Sequence, residues 1–151
     1  MNFKVVIIMS AFNEECVISS AINSIIAQNY PSWKLVIFDD GSTDDTAKIV
    51  QSYVDKHNNI ELLINKANRG LAYGLNKAIS YSNSEYIARM DADDVALPNR
   101  LKSQIEYLNE HSEIDVLGTG AEVVNTNSSK SIVFKPENHT TILSSIEKIN
   151  P

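Results

Sequence analysis

Apolar residues along this chain fall alternately into short unbroken runs and into helical stripes. Residues 5–9, Val-Val-Ile-Ile-Met, form a continuous β-branched run, the pattern of a strand covered on both faces. Val17, Ile18, Ala21, Ile22, Ile25 and Ile26 then recur at helical spacing, and Tyr30-Pro31 closes that helix. Residues 35–38 read as a second buried strand ending in Asp39-Asp40-Gly41. Ser42, Thr43, Asp44 and Asp45 offer N-cap and first-turn chemistry for a helix reaching about Lys56. Residues 60–64 predict a third strand, and Leu71, Leu75, Ala78 and Ile79 a third helix ending near Ser82. A fourth strand over residues 86–90 runs straight into Asp91-Ala92-Asp93-Asp94. Pro98 suits the first turn of the next helix, whose stripe is Leu101, Ile105 and Leu108. Residues 115–125 and 131–134 flank the turn-rich Thr126-Asn127-Ser128-Ser129, which predicts a strand pair. Ile142, Leu143, Ile146 and Ile149 predict a last helix over residues 139–149.

Strand–helix alternation through the first 110 or so residues predicts an α/β fold with a parallel, doubly wound sheet. Ligands of such sheets bind outside the carboxyl ends of the strands. Four strand ends here carry polar groups: Ser10-Ala-Phe-Asn-Glu14, Asp39-Asp40, residues 65–70, and the run from Asp91 to Asp94. That convergence is the strongest feature of the sequence.

Composition narrows the classes. A chain of 151 residues with 43% hydrophobic content can build a core without staples, and it reads as one domain over 1–151. Cys16, the only cysteine, cannot close an internal disulfide and is expected to be a small buried side chain. Trp33 is expected to pack at a strand entry. Lys and Arg total 13 against 19 Asp and Glu, a net charge of −6, which argues against a nucleic-acid or anionic-membrane surface. No apolar run approaches the ~20 residues of a bilayer span, and the opening run is too short for a signal peptide, so the expected address is cytoplasmic.

Asp91, Asp93 and Asp94 set three carboxylates within four residues. Alone they repel, and at least one pKa should rise. A hard divalent cation such as Mg²⁺ or Mn²⁺ relieves this, whereas a solvated helix N-terminus also welcomes aspartates. Chemistry alone leaves both readings open. An EF-hand fits poorly, since a loop begun at Asp91 has Ala96 and Lys102 where glycine and glutamate belong. Asp39-Asp40-Gly41-Ser42 is likewise either a capped turn or a carboxylate accepting from a base N–H or ribose hydroxyl. No GxGxxG, Walker lysine or GxSxG is present, and His57, His111 and His139 lack metal-ligand spacing.

Together the pieces resemble the inverting family 2 glycosyltransferases with a GT-A fold. The matching stretches are Ser10-Ala-Phe-Asn-Glu-Glu15, Phe38-Asp-Asp-Gly-Ser-Thr-Asp44, Asn68-Arg-Gly-Leu-Ala-Tyr-Gly-Leu-Asn76 and Ala88-Arg-Met-Asp-Ala-Asp-Asp94, followed by Pro98-Asn-Arg-Leu101. They stand in the family's order and spacing. The resemblance implies the nucleotide-sugar half of a bacterial enzyme of surface polysaccharide synthesis, in a mostly parallel sheet flanked by helices. It implies a DxD motif at Asp91-Ala92-Asp93, with Asp93 ligating Mn²⁺ or Mg²⁺ and Asp91 near the ribose and the metal. Asp40 would contact the uracil of a UDP-sugar, with Asp39 beside it. Ser10, Ala11 and Glu14 would line the nucleoside pocket, and Asn68 and Gly70 would approach the nucleotide. Arg100 and Leu101 are expected to be structural.

Family members continue into a segment bearing the catalytic base and the acceptor-binding half. No residue here matches that base, so the chain is expected to end before the acceptor-binding half and to be inactive alone. A glycan or lipid-linked acceptor would then be bound elsewhere, at the inner face of the membrane, and uncovered apolar surface would favour self-association. Two competing readings are a nucleotide-binding domain without chemistry and a receiver-like phosphoacceptor module. The receiver needs a lysine at a late strand end, which Asp115-Val-Leu-Gly-Thr-Gly120 does not supply.

Overall fold

The computed structural model describes residues 3–124, 129–133 and 140–141. The chain forms two compact units, Met1–Glu106 and Tyr107–Pro151. The first is built from β1 (Val5–Ala11), α1 (Ile18–Ile26), β2 (Trp33–Asp39), α2 (Thr46–Val54), β3 (Ile60–Ile64), α3 (Leu71–Ser80), β4 (Tyr86–Arg89) and the start of α4 (Arg100–Glu110). The four strands make one parallel sheet in the order β3-β2-β1-β4. In the central register Ile7 pairs with Leu35 on one side and Ala88 on the other. The alternation of strands and helices therefore gives the α/β parallel sheet that the pattern predicts.

Side-chain alternation divides the strand residues between two cores. Val5, Ile7, Met9 and Ala11 of β1 join Leu35 and Ile37 of β2 in the larger core. It is covered by Ile18, Ala21, Ile22 and Ile25 of α1, Val50 of α2, and Leu101 and Ile105 of α4. Val6, Ile8 and Val36 point the other way and meet Ala78, with Leu75 and Leu63 packed alongside. Central strands buried on both faces explain why β1 and β2 are continuous apolar runs. Trp33, at the first position of β2, is buried as expected.

Several local expectations shift. α2 begins at Thr46 rather than near Ser42, because Ser42 and Thr43 bond other partners and Asp44 Oδ1 accepts from the Thr46 amide at 3.0 Å. Pro98 lies ahead of α4 instead of in its first turn. The orphan first-turn amide of Leu101 is capped by Gln28 Oε1 at 3.0 Å, and Gln28 Nε2 donates to the Leu97 carbonyl at 2.8 Å. This buried glutamine stitches the end of α1 to the segment that follows Asp91–Asp94. Cys16 is exposed, not buried, since it sits in the turn before α1 and off its apolar stripe.

In the second unit, β5 (Ala121–Val124) and β6 (Lys130–Val133) form the antiparallel pair, narrower than predicted, with Ala121 opposite Val133. Residues 115–120 are not strand. The helix expected over 139–149 falls outside the described residues except at Thr140 and Thr141, which are helical. Among the described residues no helix is long and apolar enough to cross a membrane.

Candidate functional site

The carboxyl ends of β1 and β2 and the loop after β3 meet in a solvent-open cleft of ≈ 160 Å³ lined by Ser10, Ala11, Phe12, Glu14, Asp40, Asn68, Gly70 and Leu71. Six of these are residues that the sequence singled out. Phe12 and Leu71 were missed, although both lie inside matching stretches, the first and the third. Both are exposed apolar side chains at a polar rim.

Asp40 organises the cleft. Its backbone amide donates to the Ala11 carbonyl at 2.8 Å, extending the β1–β2 ladder by one residue. The side chain, 2% exposed, receives the Arg69 and Gly70 amides on Oδ2, each at 2.7 Å, and Asn65 Nδ2 on Oδ1 at 3.0 Å. One carboxylate thus folds the whole 65–70 loop over the end of β2. Burial pushes its pKa up, but the Asn65, Arg69 and Gly70 donors and the Arg69 charge outweigh it, and the carboxyl sits below its ordinary range. Gly41 lets that loop come close: its φ is +78°, and a Cβ there would stand 2.9 Å from the Ala67 backbone.

Asp39 is equally buried but does a different job. It accepts from the Ser42 hydroxyl and, at 3.3 Å, from the Ser42 amide, closing the turn after β2, and it does not line the cleft. The Ser42 hydroxyl in turn accepts the Asn13 amide at 2.9 Å, and Asn13 Oδ1 accepts the Thr43 amide at 2.8 Å. Glu14 and Glu15 donate their amides to Thr46 Oγ1 and Asp44 Oδ2, and Glu15 Oε2 accepts the Asp45 amide. Asn13 is the one non-glycine residue among those described with a positive φ, +58°, a conformation asparagine tolerates. These reciprocal bonds lock the first and second loops into one rim, a role the sequence did not reveal for Asn13.

The fourth strand end carries the charge. Ala92 is buried in the larger core, so its methyl is not in the cleft. Asp91 is paired with Arg89, and Arg100 Nη2 donates to the Arg89 carbonyl at 2.8 Å, the structural role expected of Arg100. Leu101 belongs to the core, also as expected. Asp93 is exposed, and among the described residues no hydrogen bond or ion pair reaches it. Burial raises the Asp94 carboxyl, reinforced by Asp93 and Asp91 and moderated by Arg100 and Arg89. Burial also raises Glu14, with Asp93 and Asp44 repelling it. The Asp93 charge therefore reaches the cleft wall at Glu14. Among the described residues no group of three or more His, Cys, Asp and Glu side chains forms a metal cage. Accessible carboxylates at Asp93 and Asp94, among like charges, do fit a Mg²⁺- or Mn²⁺-type ion, which takes one or two carboxylates and completes its shell with phosphate oxygens and water.

A sequence model described as Glycosyl transferase family 2 matches residues 6–142. The Escherichia coli protein UDP-Glc:alpha-D-GlcNAc-diphosphoundecaprenol beta-1,3-glucosyltransferase WfgD is 33% identical over 139 residues, 92% of this chain and 54% of that protein. The solved structure of S. aureus TarS 1-349 in complex with UDP-GlcNAc superposes with a TM-score of 0.68 at 29% identity, covering 73% of this chain and 32% of that one. The mannosyltransferase PcManGT from Pyrobaculum calidifontis, in complex with GDP-Man and Mn²⁺, gives 0.66 at 26% identity over 72% of this chain and 33% of that one. Against curated relatives the chain spans about half their length or less, 54% and 42% in two of them.

Proposed function

The chain belongs to glycosyl transferase family 2, and from that premise we propose that its cleft binds the nucleotide of a sugar donor together with a divalent cation. The observation that carries this reading is the cleft itself, where Ser10, Ala11, Glu14, Asp40, Asn68 and Gly70 converge from three loops, with Asp93 outside the lining but its charge felt at Glu14. A carboxylate offers about four acceptor sites. Asp40 uses both on Oδ2 and one on Oδ1, so one remains for the N–H of a uracil ring, and UDP is the preferred nucleotide. The UDP-GlcNAc complex of TarS and the UDP-Glc in the description of WfgD support the same choice.

Asp93 would hold the cation, with Asp91 close by. Mn²⁺ or Mg²⁺ there supplies neutralisation of the charge that gathers on the departing diphosphate. The Mn²⁺ complex of PcManGT supports the choice of metal. Asn68 and Gly70 shape the wall that Asp40 folds into place. The activity served is inverting transfer to a glycan or lipid-linked acceptor in surface polysaccharide synthesis, at the cytoplasmic face of the membrane. This chain is read as the donor-binding part, with little transfer on its own, because inverting transfer needs a base and no residue here is assigned that role.

Asp93→Asn tests the metal assignment. The variant should keep its melting temperature, since an exposed carboxylate among like charges is lost, yet bind UDP in Mn²⁺ at least about ten-fold more weakly. Calorimetry showing unchanged Mn²⁺-dependent affinity removes Asp93 as the ligand.

A further inference from the structure

Arg89 grips Asp91 through two parallel hydrogen bonds, Nε to Oδ1 and Nη2 to Oδ2, each 3.0 Å. Such a fork fixes the carboxylate's orientation as a single Lys contact would not. The backbone between the two is equally held. The Met90 side chain is buried, and its amide donates to the Ile8 carbonyl at 3.0 Å. The Arg89 carbonyl receives Arg100 Nη2, while Arg100 Nη1 lies 3.0 Å from Met90 Sδ. Of the three aspartates that end β4, Asp91 is thereby neutralised and turned toward Arg89. Asp93 and Asp94 are both exposed, and among the described residues neither carboxylate forms an ion pair or a side-chain hydrogen bond.

We propose that Arg89 is a positioning residue that withholds Asp91 from the metal, so that the cation binds firmly only when a nucleoside diphosphate arrives with it. This rests on the reading of Asp93 as the metal ligand. A cation arriving alone meets Asp93 and its neighbour Asp94, with Asp91 held away by Arg89. With the nucleotide, phosphate oxygens supply the missing ligands. By linkage, whatever the nucleotide adds to metal affinity the metal adds to nucleotide affinity, so Arg89 sets the strength of that coupling. Removing the fork frees Asp91 to join Asp93 and also removes a positive charge from the site.

The experiment follows the electron spin resonance signal of free aqueous Mn²⁺ in titrations of the chain, with and without UDP. The native chain should bind Mn²⁺ weakly and tighten with UDP. Arg89→Met should bind Mn²⁺ alone about five-fold more tightly and gain less from UDP. Adding Asp91→Asn to Arg89→Met should return the Mn²⁺ affinity to the native level, a reversal that a merely structural pair would not produce. Arg89→Met with unchanged or weaker Mn²⁺ affinity, beside a native chain that still couples Mn²⁺ to UDP, overturns the role of Arg89 and leaves the site reading standing. A folded native chain in which UDP does not tighten Mn²⁺ binding overturns both. Should Arg89→Met fail to fold by circular dichroism, Arg89→Lys, which keeps the charge but loses the fork, decides by the same criterion.

Discussion

Asp40→Asn is expected to cost about 3 kcal/mol of stability at neutral pH and to abolish measurable nucleotide binding. The native carboxylate accepts on both oxygens, from Asn65 on one and from the Arg69 and Gly70 amides on the other. An asparagine can offer only one acceptor oxygen. Its NH₂ must face either the Asn65 amide donor or two backbone donors, and a buried donor is then left unmatched. For a chain of this size the loss lowers the melting temperature by about 8 °C. The 65–70 loop, released from the end of β2, no longer closes the cleft, so binding falls further than stability. The pH dependence separates this effect from a general packing defect. Because the folded-state pKa of Asp40 is depressed below its ordinary 3.8, its contribution is present above that value and fades as pH falls through the folded one. The stability gap between native chain and variant should therefore be steady near neutrality and narrow in acid. A gap that persists unchanged into acid would show that the carboxylate's charge is not what holds the loop.

Gly74→Val should be as damaging, through the packing of α3 on the sheet. Gly74 is buried in α3 where the helix crosses β1 and β2. A Cβ there would collide with the Ser10 hydroxyl and stand 3.0 Å from both Ser10 Cβ and Phe38 Cδ1. Ser10 Oγ can rotate away, but Ser10 Cβ is fixed by the strand and Phe38 is 6% exposed with its ring packed edge-on against Tyr73. Alanine should cost about 1 kcal/mol despite its better helix propensity, and valine about 3 kcal/mol, through overpacking. Ser10→Gly should recover most of the loss in the alanine background, because the clash is pairwise. Denaturant unfolding of the four chains checks this. Additive losses from Ser10→Gly and Gly74→Ala would contradict direct contact. The consequence for function is that Ser10 lines the cleft, so displacing it disturbs the pocket as well as the core.

The parts of this molecule that sequence reveals are those where one element decides its own fate. β1 and β2 announce themselves because strands covered on both faces must be apolar without interruption, and α1 because Ile18, Ala21, Ile22 and Ile25 fall on one stripe. The polar ends of those strands lie at the cleft, through Ser10, Glu14 and Asp40. What stayed hidden depends on partners far along the chain. Nothing local marks Gln28 as the cap of α4, or Asn13 as the clasp between the first two loops. Asp39 and Asp40 are adjacent and identical in type, yet one closes its own turn and the other holds the loop after β3. The difference lies only in which way each side chain leaves the end of β2. The delayed start of α2 has the same origin, since Ser42 and Thr43 bond across to Asp39 and Asn13 instead of capping the helix.

The central claim is that this cleft binds a nucleotide with a divalent cation. Calorimetric titration of UDP into the purified chain, first with Mn²⁺ and then with EDTA, tests it most directly. The expected result is saturable binding in Mn²⁺ that weakens at least about ten-fold when the metal is removed. A folded chain that binds no UDP at any Mn²⁺ concentration, or that binds it equally well in EDTA, would contradict the account.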